Sequence, residues 1–360
     1  MAYEGAQHGN RVSNFSTSKI DAVVVDQVLK VPTLWAYFQR KGKNFNKPTI
    51  KKTVKISRTG QGQSYVGLEN LNSQASDTTI QLEWAHNAYT HQRVKVMLEH
   101  FANEGLGEDI NLGDYIDQEA IAELSYDMGG FAYGSGAGDT ILGLEALVDT
   151  TVNTSTYGGQ SKTTYTGLQS TVTASGGAVT LAKLGTLNTA VSDAGDGENS
   201  NLLVSDFPTW DLVEQLFTPT MRNTYTYTLD GATIRNDYGE KSAVAGRAGF
   251  VALSWRGIPF IKDKLATAQI LYMLNTNYLD WYGRTTVPSD FKEFVKSVNL
   301  GKSQSALEAS SMPSQYHGWF SQQEQMMPSQ AGVIGRYHVI GQFVGFQPRR
   351  QGKLTGITGV

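Results

Sequence analysis

The segment from residue 108 to residue 133 constrains the fold of this chain more than any other. Its apolar residues recur at spacings of three or four, and they are Leu112, Ile116, Ala120, Leu124, Met128 and Phe131. This periodicity predicts one long helix with a single apolar stripe. Acidic residues crowd its first turns, where they complement the partial positive charge of a helix N-terminus, and glycines mark its end.

Two β-rich runs precede this helix. Residues 49–57 alternate, with Val54 and Ile56 on one face and Lys55 and Ser57 on the other, and a second run extends from Thr78 to Met97. Glycines between the two runs suit a turn. The pattern predicts a long two-stranded projection. Because isolated ribbons of this kind are marginal in water, we expect it to pack on another surface.

The chain begins with an arm. Residues 1–20 are polar and small, whereas residues 20–34 and the segment from Leu34 to Phe38 are apolar enough to need a partner surface. The sequence leaves two options for this apolar part, which are packing on a neighbouring copy and packing on the chain's own core.

The remainder predicts an α+β lobe. Residues 149–180 are rich in Thr, Ser and Gly, and this composition fits either surface β structure or a loop. A short helix over 181–190, a loop over 193–201, a strand over 202–204 and a helix over 210–217 are expected to follow.

Further strands are predicted towards the end of the sequence. Residues 250–255 and 258–261 form two strands separated by Gly257, and residues 270–275 form another. A final strand pair is expected over 337–346 and 353–357.

Charge is balanced overall and uneven along the chain. The net charge is −3, yet the stretch from Lys30 to Arg58 holds nine basic residues and no acidic one. This basic arm permits three interpretations: it neutralises phosphates of packaged nucleic acid, it meets the acidic helix of a neighbouring subunit, or it is a solvated face. Cysteine is absent, which excludes disulfides and thiolate metal sites. No apolar run has the length of a membrane span, so we expect synthesis in the cytoplasm.

Candidate chemistry finds no support in the sequence. The separations of five and nine residues between His86, His91 and His100 do not place successive imidazoles on one helix or strand face. The acidic stretch 193–199 lacks the ligand spacing of a helix-loop-helix calcium site. The glycines at 134–138 follow a helix instead of opening one, unlike a phosphate loop. We therefore expect no enzyme, no catalytic or cofactor-binding residue, no metal site and no cofactor.

The order of these parts resembles the HK97-like coat proteins of tailed double-stranded DNA phages. Three segments carry the local similarity: 133–148 directly after the helix, 201–210 as a strand followed by a helix, and 255–275 with Trp255-Arg-Gly-Ile-Pro259. The resemblance covers nearly the whole chain, and the order of the parts carries it more than any single motif.

The resemblance implies an α+β, HK97-like capsid fold and five regions. Residues 1–48 would be the N-terminal arm, 49–98 an extended β-hairpin loop (E-loop), 99–148 the spine helix and the start of the peripheral domain, 149–275 mainly the axial domain with a Thr/Ser/Gly-rich insertion, and 276–360 peripheral-domain strands with a C-terminal return.

The implied function is that of a major capsid protein, which forms pentamers and hexamers and assembles into an icosahedral shell around double-stranded DNA. The implied partners are other copies of the chain, a scaffolding protein and a portal during assembly, a decoration protein, and DNA contacted without sequence specificity, with no membrane. The implied location is the virion, after assembly in the host cytoplasm. A non-capsid, β-rich phage or cell-surface binding module is the alternative.

Position along the chain, together with this resemblance, nominates intersubunit contacts in the arm and the loop. They are Leu34, Trp35, Phe38, Arg40, Lys41, Arg58, Gln61, Gln63, Tyr65 and Leu68. The spine helix is represented by Leu112, Ile116, Leu124, Met128 and Phe131.

Overall fold

A computed structural model describes most of the chain. The described residues are 33–57, 62–70, 77–103, 112–136, 140–152, 154–216, 253–286, 289–291, 295–297, 317–328 and 330–359. Predictions for residues 1–32, for Arg58 and Gln61, and for positions 108–111, 217 and 250–252 lie outside them. The chain divides into two compact units, the first drawn from residues 1–46, 87–132 and 282–341 and the second from 47–86, 133–281 and 342–360. The boundaries of the five regions proposed above stay a prediction.

The described part of the chain holds six α-helices, and those over 112–133, 181–194 and 207–216 lie close to predicted ones. They are α1 (Thr33–Arg40), α2 (Met97–Asn103), α3 (Leu112–Tyr133), α4 (Leu144–Leu147), α5 (Leu181–Ala194) and α6 (Phe207–Leu216). Among these described helices, none combines the length and the apolar character needed to cross a membrane.

The strands belong to two large sheets and two small ones. They are β1 (Lys43–Asn44), β2 (Thr49–Lys55), β3 (Thr79–Ala85), β4 (Asn87–Val96), β5 (Thr156–Tyr157), β6 (Gln160–Ser161), β7 (Thr171–Ala178), β8 (Leu202–Ser205), β9 (Leu253–Trp255), β10 (Ile258–Lys262), β11 (Ile270–Leu274), β12 (Leu279–Gly283), β13 (Val295–Ser297), β14 (Trp319–Met326), β15 (Gly332–Gly345) and β16 (Gly352–Gly359).

The long helix is present as α3. Its predicted stripe is buried at Leu112, Ile116, Leu124 and Met128, and Phe131 is half-buried. The last described residue of the helix, Tyr133, is the last residue of the predicted segment.

The two-stranded ribbon is shorter than the sequence suggested. Strands β2 and β3 pair in antiparallel register, with Ile50 opposite Trp84 and Val54 opposite Ile80. The prediction that the second strand continues to Met97 is wrong, because β4 pairs instead with β15, Val96 lying opposite Gly332. A strand of the first sheet therefore follows the ribbon directly.

The first six-stranded sheet has the order β1-β12-β15-β14-β13, with β4 on β15 outside this path. The second six-stranded sheet has the order β7-β16-β11-β8-β10-β9. The predicted pairing of the last two strands with each other is wrong, because β15 lies in the first sheet and β16 in the second. Each strand found a partner far away in sequence, which local patterns do not reveal.

The core of the second unit joins α5 and α6 to its sheet. It contains Leu184, Leu187 and Val191 of α5, Trp210 and Val213 of α6, and the sheet residues Leu203, Phe260, Leu271, Met273 and Leu354, all buried.

Several local predictions in this unit need correction or refinement. Helix α5 begins after Thr180, whose hydroxyl accepts a hydrogen bond from the Lys183 amide, and it ends four residues later than predicted, at Ala194. The loop expected from Asp193 therefore starts in helical structure. Helix α6 begins at Phe207, before the expected Trp210, because Pro208 suits the first turn of a helix. Of the two options for residues 149–180, β structure holds for β5, β6 and β7.

Candidate intersubunit contact surface

The apolar arm residues are buried within the chain. Leu34 and Phe38 have no exposed surface, and Trp35 is 2% exposed. Their spacing places them along one side of α1, which is the geometry of a helix packed on a core. Of the two options for this part of the arm, burial favours the chain's own core. A role in contacts between copies stays a prediction for these residues, for Lys41, which is half-buried, and for Arg40.

Lysines of the basic arm engage groups of the same chain. The Lys51 ammonium lies 3.0 Å from Glu83 Oε2. The Nζ of Lys43 lies 5.9 Å from the centre of the Tyr282 ring, and that of Lys52 lies 5.1 Å from the centre of the Phe346 ring. Hydrogen bonds from Lys51 and then Thr49 lower the pKa of the Glu83 carboxyl. Exposed contacts of this kind contribute little stability, so they leave the three interpretations of the arm open.

The tip of the ribbon presents apolar side chains to solvent. Every described residue from 62 to 70 is exposed, including Gln63. Tyr65 is 61% exposed, Val66 is 86% exposed, and Leu68 is fully exposed. Three exposed apolar side chains within four positions resemble the patches found at contact surfaces, and their role in contacts between copies stays a prediction. Gln63, Tyr65 and Leu68 belong to the predicted contact set, and they are exposed in the part of the chain that the structure describes.

The base of the ribbon is fixed by aromatic packing. Trp84 is buried and meets the Tyr157 ring edge-on, with ring centres 5.5 Å apart, and the Phe346 ring at 6.1 Å. Ile50 and Leu82 beside it are also buried. This packing supplies the supporting surface that the sequence required for a persistent ribbon.

The hairpin that supports this base lies in residues 149–180, for which the sequence left β structure and a loop open without locating a turn. Strands β5 and β6 are joined by Gly158 and Gly159, whose φ angles are +56° and +74°. The Glu83 amide donates to the Gly158 carbonyl at 3.0 Å, so the turn is hydrogen-bonded to β3. The signal was the Gly-Gly pair between Tyr157 and Gln160, a common turn of two-residue hairpins.

Tyr157 ties this hairpin to the end of β15. Its hydroxyl donates to the Gly345 carbonyl at 3.1 Å and accepts from the Gly345 amide at 2.8 Å. Burial raises the pKa of the Tyr157 hydroxyl above its ordinary value. The ribbon therefore has a rigid base and an exposed apolar tip, which suits a projection that reaches another molecule.

The spine-helix residues lie inside the chain. Besides the buried stripe, the Phe131 ring meets the Tyr89 ring of β4 edge-on, with centres 4.8 Å apart. These residues position α3 against its own unit.

Two of the groups considered for metal binding, His91 and Glu198, have other contacts. His91 Nε2 lies 2.8 Å from Glu123 Oε2. Glu198, in the acidic loop, accepts hydrogen bonds from the hydroxyl of Tyr278 at 2.9 Å and pairs with Arg350. Across the described ranges, no group of three or more His, Asp or Glu residues has the arrangement of a metal site.

Comparison by sequence gives no relative. No protein-family model matches the chain, and no curated protein matches it.

Comparison by structure gives several proteins of similar fold over nearly the full length. The capsid protein of cyanophage A-1(L) aligns with a TM-score of 0.68 at 17% identity, covering 95% of this chain and 97% of that chain. A subunit of an encapsulin complex from Synechococcus elongatus aligns with a TM-score of 0.56 at 9% identity, covering 97% and 95%. The capsid of a native GTA particle aligns with a TM-score of 0.56 at 10% identity, covering 95% and 94%. At these identities the likeness establishes architecture, and the predicted fold class is confirmed: the chain has the α+β, HK97-like fold of phage capsid and encapsulin shell proteins.

Proposed function

We propose that this chain is a major capsid protein, which self-assembles as pentamers and hexamers into an icosahedral shell enclosing double-stranded DNA. The observation that carries the proposal is the alignment with the cyanophage A-1(L) capsid protein over 95% of this chain and 97% of that one, with a TM-score of 0.68. Because the alignment covers both chains almost completely, it favours a shared role over the reuse of a single domain in a protein with another function. The role is structural, without catalysis.

The ribbon supports the proposed assembly. Its base is held by Trp84, Tyr157 and Phe346, while Tyr65 and Leu68 at its tip are exposed. We infer that the tip lies over a neighbouring copy and buries its apolar side chains there. Because the contact recurs at every subunit, a modest free energy for each contact is sufficient for a stable shell.

The proposed partners follow from this role. They are other copies of the chain, a scaffolding protein and a portal during assembly, a decoration protein on the finished shell, and packaged DNA. Exposed lysines such as Lys47 and Lys55 suit phosphate contacts without sequence readout. The proposed location is the virion, after assembly in the host cytoplasm.

The alternative was a non-capsid, β-rich binding module. The alignments run the full length of shell proteins, and α3 and the two mixed units belong to that architecture. They give a binding module no support.

The test is expression of the full chain with and without a candidate scaffolding protein, followed by sedimentation and negative-stain electron microscopy. We expect closed particles of uniform size, or pentamers and hexamers, and particles formed during infection should protect double-stranded DNA from nuclease. A monomer at every protein and salt concentration, with scaffold present, would sink the shell proposal. Uniform particles that never hold DNA during infection would instead contradict the DNA-enclosing part.

A further inference from the structure

One face of β4 carries a row of polar and basic side chains. Tyr89, His91, Arg93 and Lys95 occupy alternate positions and are all half-buried, whereas Thr90 and Gln92 between them are exposed and Val94 is half-buried. Alternate residues of a strand lie on one face, so the four side chains form a line. Three of the four can carry positive charge.

The facing side of α3 carries acidic residues in reverse order. Asp117 Oδ1 lies 2.8 Å from Arg93 Nη1, and Asp117 Oδ2 accepts a hydrogen bond from Lys95 at 3.3 Å. Glu123 lies opposite His91 at 2.8 Å. The hydroxyl of Tyr89 donates to Asp127 at 2.9 Å, and burial together with this carboxylate raises the pKa of the Tyr89 hydroxyl.

These contacts follow one another along both elements. From Lys95 to Tyr89 a strand advances about 20 Å, and from Asp117 to Asp127 a helix advances about 15 Å. Strand and helix thus run past each other in opposite directions, joined at three levels. We call these levels the inner, middle and outer rungs: Arg93 and Lys95 with Asp117, His91 with Glu123, and Tyr89 with Asp127.

The rungs differ in their exposure to water. The side chains of Arg93 and Lys95 are 10% and 15% exposed, and Asp117 is 25% exposed. Glu324 of β14 reinforces the inner rung at 2.7 Å from Lys95. Arg93 also donates to the Tyr337 hydroxyl at 2.8 Å. At the middle rung, His91 is 26% and Glu123 is 41% exposed. The inner rung is therefore shielded and multiply bonded, whereas the middle rung is accessible to water and ions.

The sign of the charges has a mechanical consequence. Apolar side chains fix a helix at one position because they interdigitate, so that a shift of one step opens cavities. Here the strand supplies only basic or neutral groups and the helix supplies only acidic ones, so each acid finds a donor across a range of shifts. Such a contact attracts strongly while it tolerates movement along the strand.

We propose that these rungs form an electrostatic clasp, which holds α3 against β4 and opens first at His91–Glu123, without breaking the apolar stripe of the helix. The clasp is a property of the single chain, so it stands or falls independently of shell assembly.

The test is hydrogen exchange of the full chain, read from peptides that cover 112–133, in three variants. H91E places a carboxylate against Glu123, and we expect exchange of α3 to accelerate about three- to tenfold. H91E/E123K restores opposite charges and should return exchange towards the wild-type rate. Q92E adds the same charge one position away, on the exposed face of β4, and should leave α3 unchanged.

Two results would overturn the clasp. If the amides of α3 in H91E exchange at the wild-type rate, the apolar stripe alone holds the helix in place. A double variant that exchanges as fast as H91E would show that the attraction between the two positions is not what holds the helix. If H91E does not fold, the neutral variant E123Q replaces it in the test. We expect the amides of α3 to exchange faster in E123Q than in wild type. Exchange at the wild-type rate would contradict the proposal.

Discussion

Lys162 is a charged side chain without exposed surface. Its ammonium donates to the Ala146 carbonyl at 2.7 Å and to the Thr154 hydroxyl at 3.0 Å, and it lies 3.9 Å from Asp149 Oδ2. Lys353, also buried, lies 4.0 Å from the other oxygen of the same carboxylate. Two ammonium groups thus share Asp149 and join the segment around α4 to β6 and β16.

Replacement of this lysine should destabilise the chain. K162M keeps the length of the side chain and removes its donors, which leaves buried acceptors without their partner, and each such acceptor costs about 1–3 kcal/mol. We expect a lower urea midpoint for K162M. The exposed lysine of β2 gives the control, and K55M should stay within about 0.5 kcal/mol of wild type. Equal midpoints for the two variants would show that the buried ammonium contributes nothing.

The buried ammonium of Lys162 should also make the stability of the folded chain depend on pH in the alkaline range. Burial lowers the pKa of Lys162 to about 8, with Lys353 adding to this lowering and Asp149 opposing it. Burial lowers the pKa of Lys353 as well. In the unfolded chain a lysine titrates near 10.4, so between pH 8 and that value the unfolded state binds more protons. Stability should therefore rise with pH in this window.

Buried tyrosines set the upper limit of that window. Burial raises the pKa of Tyr272 to about 12 and that of Tyr157 further, whereas an unfolded tyrosine titrates near 10. Above pH 10 the folded state binds more protons, so stability should fall. We expect a maximum at about pH 9–10 in urea midpoints measured across pH, with a smaller rise in K162M. A midpoint that declines steadily from pH 7.5 would contradict the assignment.

Among the elements, the ribbon depends most on packing against another element of the same chain. Its base lies against the turn of the β5–β6 hairpin, and a side chain added at Gly158 would meet Leu82 Cβ and Trp84 Cζ2 at 3.0 Å. A side chain added at Gly159 would meet nothing within 4 Å. Both glycines have positive φ, so one position can serve as the control for the other.

We expect G158A to be the more damaging of the two changes. Each substitution places a side chain in the left-handed region, at about 1–2 kcal/mol. G158A adds a steric clash with the base of the ribbon, at about a further 1–3 kcal/mol. Thermal unfolding should separate the two variants, and amide exchange of 79–85 should accelerate in G158A alone. Indistinguishable variants would mean that the hairpin does not support the ribbon.

Elements with a local pattern could be predicted from the sequence, and their partners could not. The spacing of Leu112, Ile116 and Leu124 is visible within a few turns, so α3 could be located from it. The alternation of β4 is equally visible, yet its partner β15 lies more than two hundred residues away. Proximity in sequence therefore favoured the ribbon over the true pairing.

The candidate site shows the same limit. Tyr65 and Leu68 follow Gly60 and Gly62 in the sequence, between two predicted strands, a position that predicts a projecting tip, and both are exposed. The apolar face of α1 suits a core or a neighbour equally well, so only the fold could show that Leu34 and Phe38 are buried in the chain itself. The burial of Lys162 could not be predicted from its Thr/Ser/Gly-rich segment. A buried ammonium needs carbonyl groups as hydrogen-bond acceptors, and only the fold brings these groups together.

For the whole molecule, the proposed role makes a prediction about assembly. The triple variant Y65S/V66S/L68S removes the exposed apolar tip while the buried base stays intact. We expect the thermal midpoint to stay unchanged and the yield of shells to fall about tenfold or more, since each lost contact is repeated around the particle. Sedimentation of the assembly mixture measures the yield.

The control for the triple variant is an exposed apolar residue elsewhere in the same unit. Val152 is 83% exposed, and V152S should assemble like wild type. Normal shell yield from the triple variant would show that the tip is not a contact between copies.

The positions of β15 and β16 also matter for synthesis. One lies in the middle of the first six-stranded sheet and the other inside the second, while Phe346, between them in sequence, packs at the base of the ribbon. At the usual pace of translation, β4 waits on the order of ten to fifty seconds before β15 is made. Until then neither sheet is complete, and the base of the ribbon lacks the packing that Phe346 supplies. Translation therefore sets the earliest time at which both sheets and the packing at the base of the ribbon can be complete.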